Sequence, residues 1–246
     1  MVSGEAAAER LAYVYQAIEA TLQGLAGRVP LIGFSGAPWT LLAYMVEGGG
    51  SKTFSKARSM LYSRPELAHQ LLEKITDTIV AYLKRKVKAG VHVLQLFDSW
   101  AGVLTGPLYQ SFCIPYLQRI CQELEGVPVI VFAKDAWFAL PQLGKLPCAA
   151  LGLDWTVAPG EARQRAGTDK VFQGNLDPCI LYADADTIRR HTLGMLQAFG
   201  KKHIANLGHG VYPDTPLDGV RCFVDTVKHY RYEQAVSFPV DSTRDC

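Results

Sequence analysis

The sequence lacks any apolar run long enough to cross a bilayer. Val127–Phe132 is among the longest, far short of the roughly 20 residues a spanning helix needs. Met1–Arg10 shows no basic region leading into an apolar stretch, so no secretory signal is expected there. An excess of one charge is missing too. The 25 Lys and Arg nearly balance 23 Asp and Glu, for a net charge of +2 and a pI of about 8.2. So weak a bias argues against a nucleic-acid binder but leaves room for a local basic patch facing an acidic small molecule.

Paired cysteines are also absent. Cys113, Cys121, Cys148, Cys179, Cys222 and Cys246 form no Cys-x-x-Cys, and no His or Cys cluster has ligand spacing. Most sit in apolar stretches and read as buried, reduced thiols of a cytosolic protein. There is no nucleophile elbow, phosphate loop or metal motif. No Gly-x-Gly-x-x-Gly follows the first strand, which disfavours a dinucleotide fold. No internal repeat or low-complexity linker is found.

What is present is apolar: 49% of 246 residues, enough for one sizeable core. Helical spacing runs from Glu9 to Leu25, and Gly27 ends it. Pro30–Phe34 is of strand type, and Trp39–Val46 reads as a helix with Pro38 near its first turn. Gly48-Gly49-Gly50 is a break. Pro65 opens the longest helix, with a buried stripe of Leu67, Leu71, Leu72, Ile75, Ile79, Leu83 and Val87, and Gly90 caps it. Further strands are expected at Val91–Phe97, Pro128–Ala133, Ala149–Leu153, Lys170–Gly174 and His203–Leu207. Helices are expected over about Pro107–Leu124, near Phe138–Leu143, from Pro159, from Asp177-Pro178, over Thr187–Phe199 and over Pro216–Tyr230. Ile188, Leu193, Leu196 and Phe199 should face inward. Val236–Cys246 reads as a loose tail.

Alternating strands and helices predict an α/β fold with a parallel sheet. About six strands are found, whereas a (β/α)8 TIM barrel has eight. The expectation is therefore a barrel domain over 1–235, incomplete at its N-terminus, followed by a tail over 236–246.

In a parallel barrel the chemistry sits where strands end. Polar residues are sparse within these strands and gather at their exits: Ser35-Gly36-Ala37-Pro38, Asp98-Ser99-Trp100, Lys134-Asp135, Asp154-Trp155, Gly174-Asn175-Leu176-Asp177 and Gly208-His209-Gly210. His209, set between two glycines, is the strongest single candidate. Ser99 fits either a helix cap or a donor to a substrate carboxylate. Tyr44 fits either the core or a substrate hydrogen bond. Asp98 and Asp154 fit caps or ion pairs, with Lys134 as partner to either, and Asp177 fits a helix start.

As a set these segments resemble uroporphyrinogen decarboxylase. The resemblance rests on Gly33-Phe34, Gly36-Ala37-Pro38-Trp39-Thr40, Tyr44-Met45-Val46-Glu47-Gly48-Gly49-Gly50, Leu94-Gln95-Leu96-Phe97-Asp98-Ser99, Phe132-Ala133-Lys134-Asp135, Gly152-Leu153-Asp154-Trp155, Gln173-Gly174-Asn175-Leu176-Asp177-Pro178 and Asn206-Leu207-Gly208-His209-Gly210. It runs from about Arg10 to Tyr230. It implies a (β/α)8 barrel that needs no cofactor and no metal. Such an enzyme removes the four acetate carboxyl groups of uroporphyrinogen III to give coproporphyrinogen III, in haem and chlorophyll synthesis. It implies a cytoplasmic homodimer with facing clefts and no nucleic-acid or membrane partner. Tyr44, Ser99 and His209 would contact substrate carboxylates or lie near the reacting ring, with Tyr44 and His209 as assisting groups. Phe34 and Phe97 would be apolar walls, and Gly36 would allow close backbone approach.

The family's Arg-Gln-Ala-Gly-Arg motif and its pyrrole-binding Asp have no counterpart here. The expectation is that this chain alone is nearly inactive. Two other readings stand beside it. One is a non-catalytic porphyrinogen-binding or interaction protein. The other is a related cobamide-dependent methyltransferase, whose zinc thiol is missing at Phe132-Ala133-Lys134-Asp135.

Overall fold

The computed structural model describes residues 2–232, so the tail read at Val236–Cys246 lies outside the described residues. The chain opens with helices α1 (Gly4–Glu9) and α2 (Ala12–Leu25), then strand β1 (Ile32–Gly36). Helices α3 (Pro38–Glu47), α4 (Ser55–Ser63) and α5 (Pro65–Lys88) lead to β2 (Val93–Asp98). Helices α6 (Gly106–Phe112) and α7 (Ile114–Glu123) lead to β3 (Val129–Ala133), and the short α8 (Leu140–Leu143) to β4 (Ala150–Gly152). Helix α9 (Pro159–Ala166) leads to β5 (Val171–Leu176), α10 (Ala185–Phe199) to β6 (His203–Leu207), and α11 (Leu217–His229) follows. No described helix is long and apolar enough to cross a membrane.

The six strands pair in chain order, β1-β2-β3-β4-β5-β6, and every pair is parallel. This is the winding of a barrel, not of a doubly wound sheet, whose order reverses at a switch point. The sheet is curled. Gln95 Nε2 on β2 donates to Gln173 Oε1 on β5 at 2.9 Å. With β3 and β4 between them, these strands would lie roughly 14 Å apart in a flat sheet. Among the described residues the barrel stays open between β1 and β6. The inner strands are buried throughout β3 and β4, whereas β1 and β6 alternate buried or half-buried with exposed positions.

Some helices differ from the sequence reading. The single helix expected over Pro107–Leu124 is two, broken at Cys113 (φ −120°). Pro115 stands in the first turn of α7, where its missing N–H is harmless but a continuous helix would lose a bond. On α5, Leu72, Ile75, Ile79 and Leu83 are buried as expected, but Leu67 is 45% exposed. On α10, Leu193 is only half-buried while Thr192 and Met195 are buried. Cys113, Cys121 and Cys148 are buried, but Cys179 is exposed and Cys222 half-buried. The run from Pro178 is a 3-10 turn, capped by Asp177, whose Oδ1 accepts from Cys179 N at 2.8 Å.

Two buried ionisable groups tie helices to the sheet. Lys86 on α5 is 4% exposed. Its Nζ donates to the Phe34 carbonyl at 2.7 Å and lies over the rings of Tyr82 and Phe34. Ala37 N–H donates to Phe97 O, so by parallel alternation the Phe34 carbonyl faces away from β2, towards the open edge. An ammonium at that carbonyl hinders strand pairing there. Asp98, at the end of β2, is fully buried. It accepts from Thr40 Oγ1 on α3 at 2.7 Å and from Tyr109 OH on α6 at 3.0 Å.

Each group makes stability depend on pH with a definite sign. Burial lowers Lys86 to about 8 from 10.5, so between these values the unfolded chain holds more protons and stability rises with pH. Lys86→Met should abolish that rise, as urea-unfolding midpoints from about pH 7 to about pH 10 would reveal. Equal slopes for the two proteins would contradict it. Burial raises Asp98 to about 6 from 3.8, so there the folded chain holds more protons and stability falls as pH rises. Asp98→Asn should therefore gain on the order of 3 kcal/mol relative to wild type between about pH 4 and about pH 7. A pH-independent difference would refute this.

Candidate active site at the strand exits

Two adjoining cavities open at the C-terminal ends of the strands. The first, about 380 Å³, is lined by Gln95, Phe97 and Ser99 from β2 and its exit, Phe132 from β3, Leu153, Gln173 from β5, and the segment Asn206–Gly210. The second, about 520 Å³, is lined by Tyr44, Lys52, Ser99, Trp100, Gly102, Val103, Lys134, Asp135 and His209. Ser99 and His209 belong to both and stand at the junction.

The first cavity has an aromatic wall and an amide floor. The rings of Phe34, Phe97 and Phe132 cross β1, β2 and β3 in an edge-to-face row, each pair 5.8 Å between centroids. Parallel register places Gly36 beside Phe97 and Phe97 beside Phe132. The buried Gln95–Gln173 pair supplies polar atoms in an otherwise apolar interior, and burial without such pairing would cost each amide about 1–3 kcal/mol. The His209 and Trp155 rings stand perpendicular, with centroids 6.3 Å apart.

The exit loops are fixed by buried carboxylates and close backbone packing. Asp154, 2% exposed, accepts from Asp135 N at 2.6 Å and from Thr156 N at 2.8 Å. Its Oδ1 also accepts from Thr156 Oγ1 at 2.5 Å. Asp135 is thereby held at φ +55°, a left-handed conformation that Asp and Asn tolerate better than most residues. A Cβ on Gly208 would come within 2.5 Å of Trp155 N, so this glycine lets the exits of β4 and β6 touch. Burial pushes the Tyr109 hydroxyl and the Cys113 thiol well above their usual values, and the nearby Asp98 carboxylate adds to both.

Of the residues singled out in the sequence, Tyr44, Ser99, His209 and Phe97 come together around the two cavities. Phe34 flanks Phe97 but is 58% exposed at the open edge and lines neither cavity. Gly36 also lines neither, and a Cβ there would meet the Leu41 side chain at 2.9 Å. Ser99 caps no helix, since Trp100 and Thr105 hold the N-cap positions that follow it. Lys134 pairs with its neighbour Asp135 and not with Asp98 or Asp154, whose oxygens are taken by hydroxyl and backbone donors. Lys52, Trp100, Gln95 and Gln173 escaped the sequence reading as site residues. Glutamines inside apolar strands were the one available signal for the last two.

A family model described as uroporphyrinogen decarboxylase matches residues 2–230. Proteins named uroporphyrinogen decarboxylase are similar throughout. The one from Ovis aries is 51% identical over 235 residues, covering 91% of this chain and 64% of that protein. The one from Christiangramia forsetii is 51% identical over 225 residues, covering 91% and 66%. The one from Homo sapiens is 50% identical over 238 residues, covering 92% and 65%. The chain thus spans 64 to 66% of the length of these relatives. Among solved structures, a methyltransferase from Methanosarcina mazei superposes with a TM-score of 0.79 at 21% identity, over 89% of this chain and 64% of that one. A B12-independent methionine synthase from Shewanella sp. W3-18-1 gives 0.60 at 13% identity, over 87% and 64%. These two share the fold. A family match across nearly the whole chain, with relatives at about half identity, establishes that the chain belongs to the uroporphyrinogen decarboxylase family.

Proposed function

We propose that the paired cavities bind uroporphyrinogen III and that this site takes part in its cofactor-free decarboxylation to coproporphyrinogen III. The junction of Ser99 and His209, facing the Phe97–Phe132 wall, carries this reading. A pyrrole is electron-rich, so protonation of a ring carbon creates an iminium-like cation. The electrons of the acetate C–CO2 bond then flow into the ring and carbon dioxide leaves. Protonation of the exocyclic carbon and loss of the ring proton turn each acetate into a methyl group, with one proton consumed overall. The protein's task is to hold the flexible octacarboxylate and to stabilise the cation as it forms. The apolar wall suits the macrocycle, while the Ser99 hydroxyl and the Tyr44 phenol suit carboxylate oxygens. His209 suits a carboxylate or a proton in transit.

The reading also includes a cytoplasmic homodimer with facing clefts, taken from the family resemblance. Within these 246 residues no Arg-Gln-Ala-Gly-Arg segment occurs, so the reading assigns the chain by itself slow turnover. Products of uroporphyrinogen III, resolved by their number of carboxyl groups, test it. Weak but measurable conversion is expected, falling about tenfold or more in His209→Ala and Ser99→Ala. Conversion unchanged in both variants would move the chemistry elsewhere. Turnover near that of a full-length relative would refute the impairment, and saturable binding with no product would favour a binding protein.

A further inference from the structure

The second cavity contains more positive charge than the mechanism above uses. Lys52 and Lys134 line it against one carboxylate, Asp135. Lys52 makes no ion pair among the described residues, whereas Lys134 is paired with Asp135. That pair is half-open to solvent, with side-chain exposures of 26% and 47%. Exposed pairs of this kind contribute little, so little is lost when one partner is replaced.

The surrounding backbone is much firmer than the pair. Asp154 holds Asp135 N, and Gly102 N donates to Lys134 O at 3.0 Å. A Cβ on Gly102 would lie 2.4 Å from Asp135 Cβ, so the exits of β2 and β3 are in direct contact. Lys134 Nζ lies over the Trp155 ring at 5.7 Å. Lys52 sits on a loop anchored at both sides. Glu47 Oε2 accepts from Lys56 N at 3.2 Å at the start of α4, and the fully buried Phe54 packs on Trp100 with ring centroids 4.6 Å apart. Cations from two separate segments thus line one chamber that also includes Ser99 and His209.

We infer that this chamber is a carboxylate subsite, in which Lys52 and Lys134 receive an acidic arm of the ligand and the arm replaces Asp135 as the partner of Lys134. The identity of the ligand rests on the proposed function; the charge arrangement does not. Asp135 then acts as an internal competitor that offsets the charge of Lys134 and leaves that of Lys52 unbalanced. An arm held here lies next to the Ser99–His209 junction, so the subsite orients the ring placed in the first cavity.

Two probes separate the subsite from the ligand assignment. Benzenehexacarboxylate is a flat polyacid unrelated to tetrapyrroles, and uroporphyrin is an octacarboxylate macrocycle. Binding of each to the 246-residue chain is measured by calorimetry or fluorescence at fixed salt. Lys52→Gln and Lys134→Gln should each weaken benzenehexacarboxylate binding about three- to tenfold. Asp135→Asn should strengthen it by a similar factor, and Asn tolerates the left-handed backbone at that position. Lys201→Gln, beyond the opposite end of the sheet, should change nothing. Unchanged affinity in both lysine variants, weakening by Asp135→Asn, or no binding to the wild type would each overturn the subsite. If the lysines govern benzenehexacarboxylate while uroporphyrin does not bind, the subsite stands and the tetrapyrrole assignment falls. If uroporphyrin binds equally to wild type and both lysine variants, the subsite falls and the assignment stands.

Discussion

Six strands that run one way and pair in chain order must release every strand exit at the same end of the sheet. The site depends on that constraint. His209 follows β6 and Ser99 follows β2, more than a hundred residues apart, yet both line the same two cavities. Curvature completes the arrangement. The hydrogen bond between Gln95 and Gln173 spans the interior across two intervening strands. It both records the curl and floors the first cavity. Replacing one partner with an apolar residue would leave the other amide buried and unpaired, so the pair acts as a unit.

Once the exits converge, the acidic residues divide into two kinds. Asp98 and Asp154 are buried, and their oxygens hold hydroxyl and backbone donors from neighbouring segments. They fix where α3, α6 and the exits of β3 and β4 stand. Asp135 instead keeps its side chain exposed, where it pairs with Lys134. The same residue type therefore serves as scaffold where water is excluded and as an ion-pair partner where it is not.

The strands were legible because doubly covered parallel strands are continuous apolar runs, and their exits were legible because polar residues and glycines collect there. That pattern located Ser99, His209 and Phe97 correctly on one end of the sheet. It failed where long-range contact decides. Nothing local in Ser55–Ser63 marks a helix, since its N-terminus is capped by Glu47 from outside the segment. The break at Cys113 needed Pro115 to be weighed against a strong apolar period. Gly36 and Gly208 looked alike as permissive residues; one is pressed by the Leu41 side chain and the other by the Trp155 backbone. The pairing of Lys134 could not be read from spacing, because Asp98 and Asp154 were already engaged by partners distant in sequence.

The two cavities can be placed relative to the open side of the sheet. β1 and β6 are each paired on one side only among the described residues, and both alternate in exposure. Edge strands are the easiest to distort, and an exposed carbonyl invites mispairing. At β1 the ammonium of Lys86 occupies the Phe34 carbonyl, so the edge is stabilised by a charge that burial penalises. The first cavity leans on Gln95, Phe97, Phe132 and Gln173, from strands bonded on both sides. The edge strand β6 also contributes, through Asn206 and Leu207 at its end and His209 just beyond it. That segment is braced by the contact of Gly208 with the exit of β4 and by the Gly208 N–H bond to Leu176 O at 2.7 Å. Those two contacts give an edge residue the positional restraint that the central strands provide to Ser99.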